Sequence, residues 1–107
     1  MNVGIKPSYK LFIDDERFPV TDDWVIARSS NEAIAMVIMH GMPTEISFDH
    51  DLGGNDTSRL FIMWMVDALL DGLITIPEGF SFSVHSQNPI GAEWIRSTMR
   101  GIISEFS

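Results

Sequence analysis

Hydrophobic positions along the chain fall in short blocks that end abruptly in polar clusters. Tyr9 to Ile13 is an apolar run stopping at Asp14-Asp15-Glu16, the pattern of a buried strand that delivers acids at its carboxyl end. After a turn marked by Pro19, Asp22 and Asp23, Trp24-Val25-Ile26-Ala27 is β-rich and short enough for a second strand, with no helix fitting between the two. Ser29 followed three residues later by Glu32 forms a capping box. It opens a helix whose apolar period runs through Ala33, Ile34, Val37 and Ile38 to His40-Gly41. Glu45 to Phe48 is a third strand, emptying into Asp49-His50-Asp51 and the loop Leu52-Gly53-Gly54-Asn55-Asp56.

A second helix is predicted over 57–71, and its stretch Leu60 to Val66 is apolar on every face, so one face needs a partner besides its own sheet. Phe80 to Val84 alternates as a fourth strand and ends in His85-Ser86-Gln87-Asn88-Pro89. Asn88 suits the cap and Pro89 the first position of a last helix, whose period is supplied by Trp94, Ile95, Met99, Ile102 and Ile103. Strands alternating with helices over short connections imply an α/β fold with a parallel sheet in spatial order 2-1-3-4. Ligands of such sheets bind beyond the carboxyl ends of the strands where the order reverses, here between the first and third strands.

The polar clusters fall at that edge. Asp14, Asp15 and Glu16 follow the first strand, Asp49, His50 and Asp51 the third, and His85, Ser86 and Asn88 the fourth. Neighbouring strands are ~4.8 Å apart, so groups at their ends can share one ligand. Carboxylates confined to that space repel one another unless a cation sits among them, and an oxygen-rich set favours Mg²⁺ or Mn²⁺. His50, flanked by two aspartates, reads as a general base, and His85 as a second functional imidazole beside Ser86 and Asn88. Arg17 either pairs with a carboxylate or forks onto a substrate phosphate, whereas Arg28, farther out, reads as a surface charge. His40, at a helix end without polar company, reads as structural. Gly53-Gly54 frees the backbone ahead of a helix, but the spacing matches no phosphate loop.

Composition then narrows the partners. A chain of 107 residues is the size of one domain, taken here as residues 1–107. The net charge of −8 repels nucleic-acid backbones and anionic lipid, so neither duplex DNA nor a membrane is an expected partner. With no cysteine, the chemistry must come from oxygen and imidazole groups. No signal peptide or apolar span of ~18 residues is recognisable, and the expected location is the cytoplasm. The Met and Trp residues of the second helix suit a core or a subunit contact, and a homodimer through 57–71 is the corresponding expectation.

Four segments together resemble the cyclic-phosphate-processing receiver-like domains, an offshoot of the response-regulator receiver fold. They are Leu11 to Arg17, Ala27-Arg28-Ser29 before Glu32-Ala33-Ile34, Ile46 to Gly54, and Val84 to Pro89. The resemblance covers about residues 9 to 100 and implies a single-domain, receiver-like three-layer sandwich. It implies that Asp14, Asp15 and Asp49 hold the metal, with Asp49 the phosphoacceptor equivalent. The lysine that receivers use after their last strand is absent, and so is the helix between the first two strands. His50 and His85 stand instead, suited to acid-base work on a phosphodiester. The role implied is processing of cyclic phosphates on nucleotides or RNA ends, in phages or prokaryotic conflict systems.

The leading expectation is therefore a metal-dependent phosphoesterase. Asp49, His50, His85 and Asp51 are its catalytic candidates, with Asp51 orienting His50, and Arg17, Ser86 and Asn88 contact substrate. A variant without metal uses His50 and His85 as an acid-base pair. The rival expectations are a degenerate receiver that changes partners when Asp49 is modified, and a noncatalytic protein that sequesters a nucleotide.

Overall fold

In the computed structural model, which describes residues 8–107, the strands and helices follow the expected sequence. They are β1 (Lys10–Ile13), β2 (Trp24–Ala27), α1 (Ser30–His40), β3 (Glu45–Phe48), α2 (Ser58–Leu70), β4 (Ser81–Val84) and α3 (Pro89–Phe106). Residues 1–7, assigned by sequence to the same domain, lie outside the described residues. All strand pairs are parallel and the order is β2-β1-β3-β4, with Ile13 beside Ala27 and Phe48, and Phe48 beside Val84.

The helix ends obey local chemistry. The Ser29 hydroxyl accepts the Glu32 N–H at 3.1 Å, while the Glu32 carboxylate reaches back to the Arg28 N–H at 2.8 Å. Gly41 closes α1 with φ of 80°, its N–H bonded to Val37 O. Asn88 caps α3 by accepting the Gly91 N–H at 3.0 Å, with Pro89 in the first turn.

Strand alternation sorts the sheet into two unlike faces. Leu11, Ile13, Ala27, Ile46 and Phe48 form one cluster with Ala33 and Val37 of α1, Phe61, Ile62 and Met65 of α2, and Ile95, Met99 and Ile102 of α3. Val25, Phe82 and Val84 pack against it from the same face. Lys10, Phe12, Trp24, Ile26, Ser47, Ser81 and Ser83 alternate to the other face and take no part in that cluster. There Ser81 and Ser83 are exposed, and Lys10 lies 4.6 Å from the Trp24 ring centroid while pairing with Asp23 at 2.7 Å.

The expected α/β fold with its parallel sheet in order 2-1-3-4 is present, and among the described residues the helices lie on one face of that sheet, giving two layers where three were expected. The reason is the handedness of the crossovers. The β2-to-β3 and β3-to-β4 connections step across the sheet in the same direction, so right-handed turns put α1 and α2 on the same side. The β1-to-β2 connection steps the opposite way and would supply the other layer, but it contains no helix. α3 lies beside α2.

α2 buries Phe61, Ile62, Met65, Ala68 and Leu69 and leaves Leu60, Met63 and Leu70 open. A homodimer through 57–71 would cover those three. Among the described residues no helix is long and apolar enough to cross a membrane.

Candidate metal and phosphate site

The parallel ladder runs one residue past the strands and sets the spacing of the site. Asp14 N–H donates to Ala27 O at 3.1 Å, Asp49 N–H to Ile13 O at 2.9 Å, and His85 N–H to Phe48 O at 2.9 Å. Asp14, Asp49 and His85 thus stand in one row across β1, β3 and β4. By alternation their side chains follow Phe12, Ser47 and Ser83 to the face without helices.

Within the row, His85 is held on three sides. Its Nε2 is 2.9 Å from Asp14 Oδ2, its Nδ1 is 2.8 Å from Ser47 Oγ, and its ring lies on Phe12 with centroids 4.6 Å apart and planes 6° from parallel. Asp14 is fully buried, and its Oδ1 accepts the N–H groups of Glu16 at 2.9 Å and Arg17 at 2.8 Å. Burial pushes the Asp14 carboxyl up, but those two amides and His85 outweigh it and hold it below the ordinary carboxylate range. Asp49 goes the other way: burial, then the neighbouring Asp14 charge, raises it, against the pull of His85 and a hydrogen bond from Ser86.

Asp15 completes the group. Asp14, Asp15 and Asp49 each offer a carboxylate oxygen, and these oxygens lie within 4.8 Å of one another, with Asp14 and Asp49 buried and Asp15 more open. Hard oxygen donors at that separation, with the Asp14 charge raising the cost of ionising Asp49, can hold a divalent cation. Gly53 fits the approach of its loop to this group. It has φ of 89°, and a Cβ there would lie 3.2 Å from Asp15 Oδ2.

The acids open into a shallow cleft of about 460 Å³ lined by Asp15, Glu16, Arg17, Asp49, Asp51, Gly53, Ser86, Gln87 and Asn88. A hollow of equal volume at the other end of β4, lined by Ile76, Pro77, Glu78, Phe80, Ile103 and Phe106 among others, lacks any such convergence of polar groups. Of the residues expected from sequence, Arg17 lies at the cleft with Nη1 bonded to His85 O at 3.2 Å and Nε 4.0 Å from Asp14. Ser86 bonds Asp49 and accepts the Asn88 N–H at 3.1 Å, and Asn88 Nδ2 donates to Asp51 at 3.2 Å.

His50 is not in the cleft. It follows Asp49 on a continuing alternation and turns to the helical side, 6% exposed, against Gly91 of α3. Arg59 Nε can only donate, so at 2.9 Å it makes His50 Nε2 an acceptor. The proton therefore sits on Nδ1, which donates to Asp51 at 2.9 Å. Asp51, 61% exposed at the cleft rim, is lowered by this bond and by Asn88. The bond thus joins the buried His50 ring to a carboxylate at the cleft rim.

Three further residues, Arg28, Asp56 and Ser58, hold the loops. Arg28, expected as a surface charge, donates from Nη1 to Asp14 O at 3.1 Å and to Arg17 O at 2.6 Å, and lies 4.7 Å from the Phe18 ring centroid. Asp56 accepts Ser30 N–H at 2.8 Å and Ser30 Oγ–H at 2.5 Å, tying the Gly53-Gly54 loop to α1. Ser58, fully buried, donates its hydroxyl to Asp49 O, and its N–H goes to His50 O at 2.8 Å. No sequence pattern announces these contacts, because each joins segments far apart in the chain or uses a main-chain carbonyl.

Comparison with known proteins adds one finding: the family model described as "Cyclic-phosphate processing Receiver domain" matches residues 9–101. No curated protein and no solved structure matches the chain.

Proposed function

Because the chain belongs to the cyclic-phosphate processing receiver domain family, we propose that it is a divalent-metal-dependent phosphoesterase that opens cyclic phosphates of nucleotides or RNA ends. The observation that carries this reading is the row of Asp14 and Asp49, with Asp15 beside it, their oxygens within 4.8 Å at the sheet edge. All donors are carboxylate oxygens, which suits Mg²⁺ or Mn²⁺. A bound ion of this kind supplies charge neutralisation and Lewis acidity toward a phosphoryl oxygen.

The chain's own groups then divide the work. Arg17 steers a nonbridging phosphate oxygen, with its guanidinium already anchored on His85 O. Water adds to phosphorus as the ester bond to the sugar oxygen breaks, its proton passing to that oxygen. His85, with Nε2 on Asp14, Nδ1 on Ser47 and its ring on Phe12, positions the Asp14 carboxylate beside the reacting phosphate. Ser86 and Asn88 shape the cleft by holding Asp49 and Asp51. The lining acids Asp15, Glu16 and Asp51 favour a singly charged diester over the doubly charged monoester that ring opening leaves, which helps product depart.

A phosphoaccepting receiver is less well supported, since Lys10 pairs with Asp23 rather than with an acid of the cleft. The test is incubation with 2′,3′- and 3′,5′-cyclic nucleotides in Mg²⁺, Mn²⁺ or chelator, with products followed by mass. Ring opening that needs both metal and Asp49 is the expected result, and an unchanged panel from folded, metal-loaded protein overturns the reading.

A further inference from the structure

Among the polar side chains lining the cleft, most are already committed. Arg17 is bonded to His85 O. Ser86 engages Asp49 and the Asn88 N–H. Asn88 spends its carbonyl oxygen on the α3 cap and its amide nitrogen on Asp51. Asp51 accepts from His50 and Asn88, and Asp15 and Asp49 belong to the metal-binding group.

Gln87 differs from all of these. It lines the cleft, is exposed, and its side-chain amide has no hydrogen bond among the described residues. It is also the cleft's neutral group with an uncommitted donor and acceptor on one side chain. A carboxamide carries the two side by side, so it pairs fully only with a ligand edge that offers an acceptor and a donor together. A phosphate oxygen or a cation would engage only half of it. A nucleobase edge engages both, as glutamine does when it takes adenine through its amino group and neighbouring ring nitrogen.

Position agrees with this chemistry. Gln87 directly follows Ser86, which touches Asp49, and it leaves β4, the strand next to β3. The distance from the acid row to Gln87 is therefore on the order of one or two strand spacings of ~4.8 Å. That is the scale of a single sugar between a phosphate and its base.

We propose that Gln87 is a specificity residue that reads the base edge of a nucleoside cyclic phosphate whose phosphate lies at Asp14, Asp15 and Asp49. This rests on the cyclic-phosphate reading above and narrows it: the preferred substrates carry a base, and the bases are not equivalent. The experiment compares wild type, Gln87→Ala and Gln87→Glu on the four 2′,3′-cyclic nucleotides and on base-free ribose 2′,3′-cyclic phosphate. Alongside it, the ¹⁵N resonance of the Gln87 side-chain amide is followed while each ligand is titrated.

In wild type the preferred nucleotide is expected to shift that amide resonance, and the base-free compound is not. Gln87→Ala is expected to raise KM for the preferred nucleotide ~5- to 100-fold with kcat held, and to level the bases. Gln87→Glu, which loses the amide donor, is expected to change the order of base preference. An amide resonance that no nucleotide moves, or a KM change of equal size on the base-free compound, overturns the proposal. A shifted amide without turnover of any cyclic phosphate keeps base reading and sinks the phosphoesterase instead.

Discussion

Asp49 and His50 are adjacent in the chain and belong to opposite faces of the sheet. Asp49 stands in the acid row with Asp14, while His50 is buried on the helical side between Arg59 and Gly91. An aspartate and a histidine that look like a catalytic pair in sequence are therefore separated by the thickness of the backbone.

Replacing Asp49 with Asn should remove divalent-cation binding and turnover while raising the melting temperature of the metal-free protein. The native carboxylate is buried and repelled by Asp14, so its raised pKa marks a charge the fold pays to keep. The stability it contributes is complete below the ordinary carboxylate range and is lost as pH climbs through the raised value. Melting curves of both proteins against pH, with chelator and with Mg²⁺, read this directly. A variant less stable than wild type in chelator at neutral pH would contradict it.

Gly91→Ala tests the packing of His50. Alanine is the better helix former by about 1 kcal/mol, but its methyl group would lie 2.4 Å from His50 Cγ. We expect the clash to win and cost about 1–3 kcal/mol in urea unfolding. Pairing it with His50→Ala should recover part of that loss.

Arg28→Ala should loosen the segment that carries Asp14 and Asp15. Loss of the guanidinium leaves the carbonyls of Asp14 and Arg17 without their donor, at about 1–2 kcal/mol of stability. Mg²⁺ affinity measured by calorimetry should fall as well. Arg28→Lys should not restore it, because one ammonium cannot reproduce the planar contact with Phe18.

Tyr9 offers an isolated optical titration, since it is the chain's one tyrosine. Its hydroxyl donates to Gly41 O at 2.6 Å, and burial pushes its pKa up to about 12. Its contribution to stability is whole below the unfolded value of about 10 and fades as pH rises toward the folded one. Phenolate absorbance in native protein should appear only near pH 12, and at the ordinary value once denatured. An ordinary native titration would rule out this burial.

The elements themselves were legible because their signals are local. Ser29 with Glu32, Asn88 with Pro89, and apolar runs stopping at acids fix strand and helix ends within a residue or so. The acid group was legible for a related reason, since parallel strands of equal length align whatever follows them. The layering was implicit in features already visible: order 2-1-3-4 and a helix-free first connection leave right-handed crossovers only one face to fill. Strand alternation carried two residues past β3 separates His50 from Asp49. What the sequence hides are the contacts of Arg28, Arg59 and Asp56, which depend on tertiary proximity rather than on any period.

The ladder that continues past the strand ends also divides what can change from what cannot. Asp14, Asp49 and His85 inherit their separation from main-chain hydrogen bonds, so the pitch of the row is set by the sheet. Gln87 and Asp51 sit on connecting loops, where insertions and exchanges are tolerated. A lineage could thus swap one ligand for another by editing a handful of rim positions, while the acid row passes unaltered from one descendant to the next.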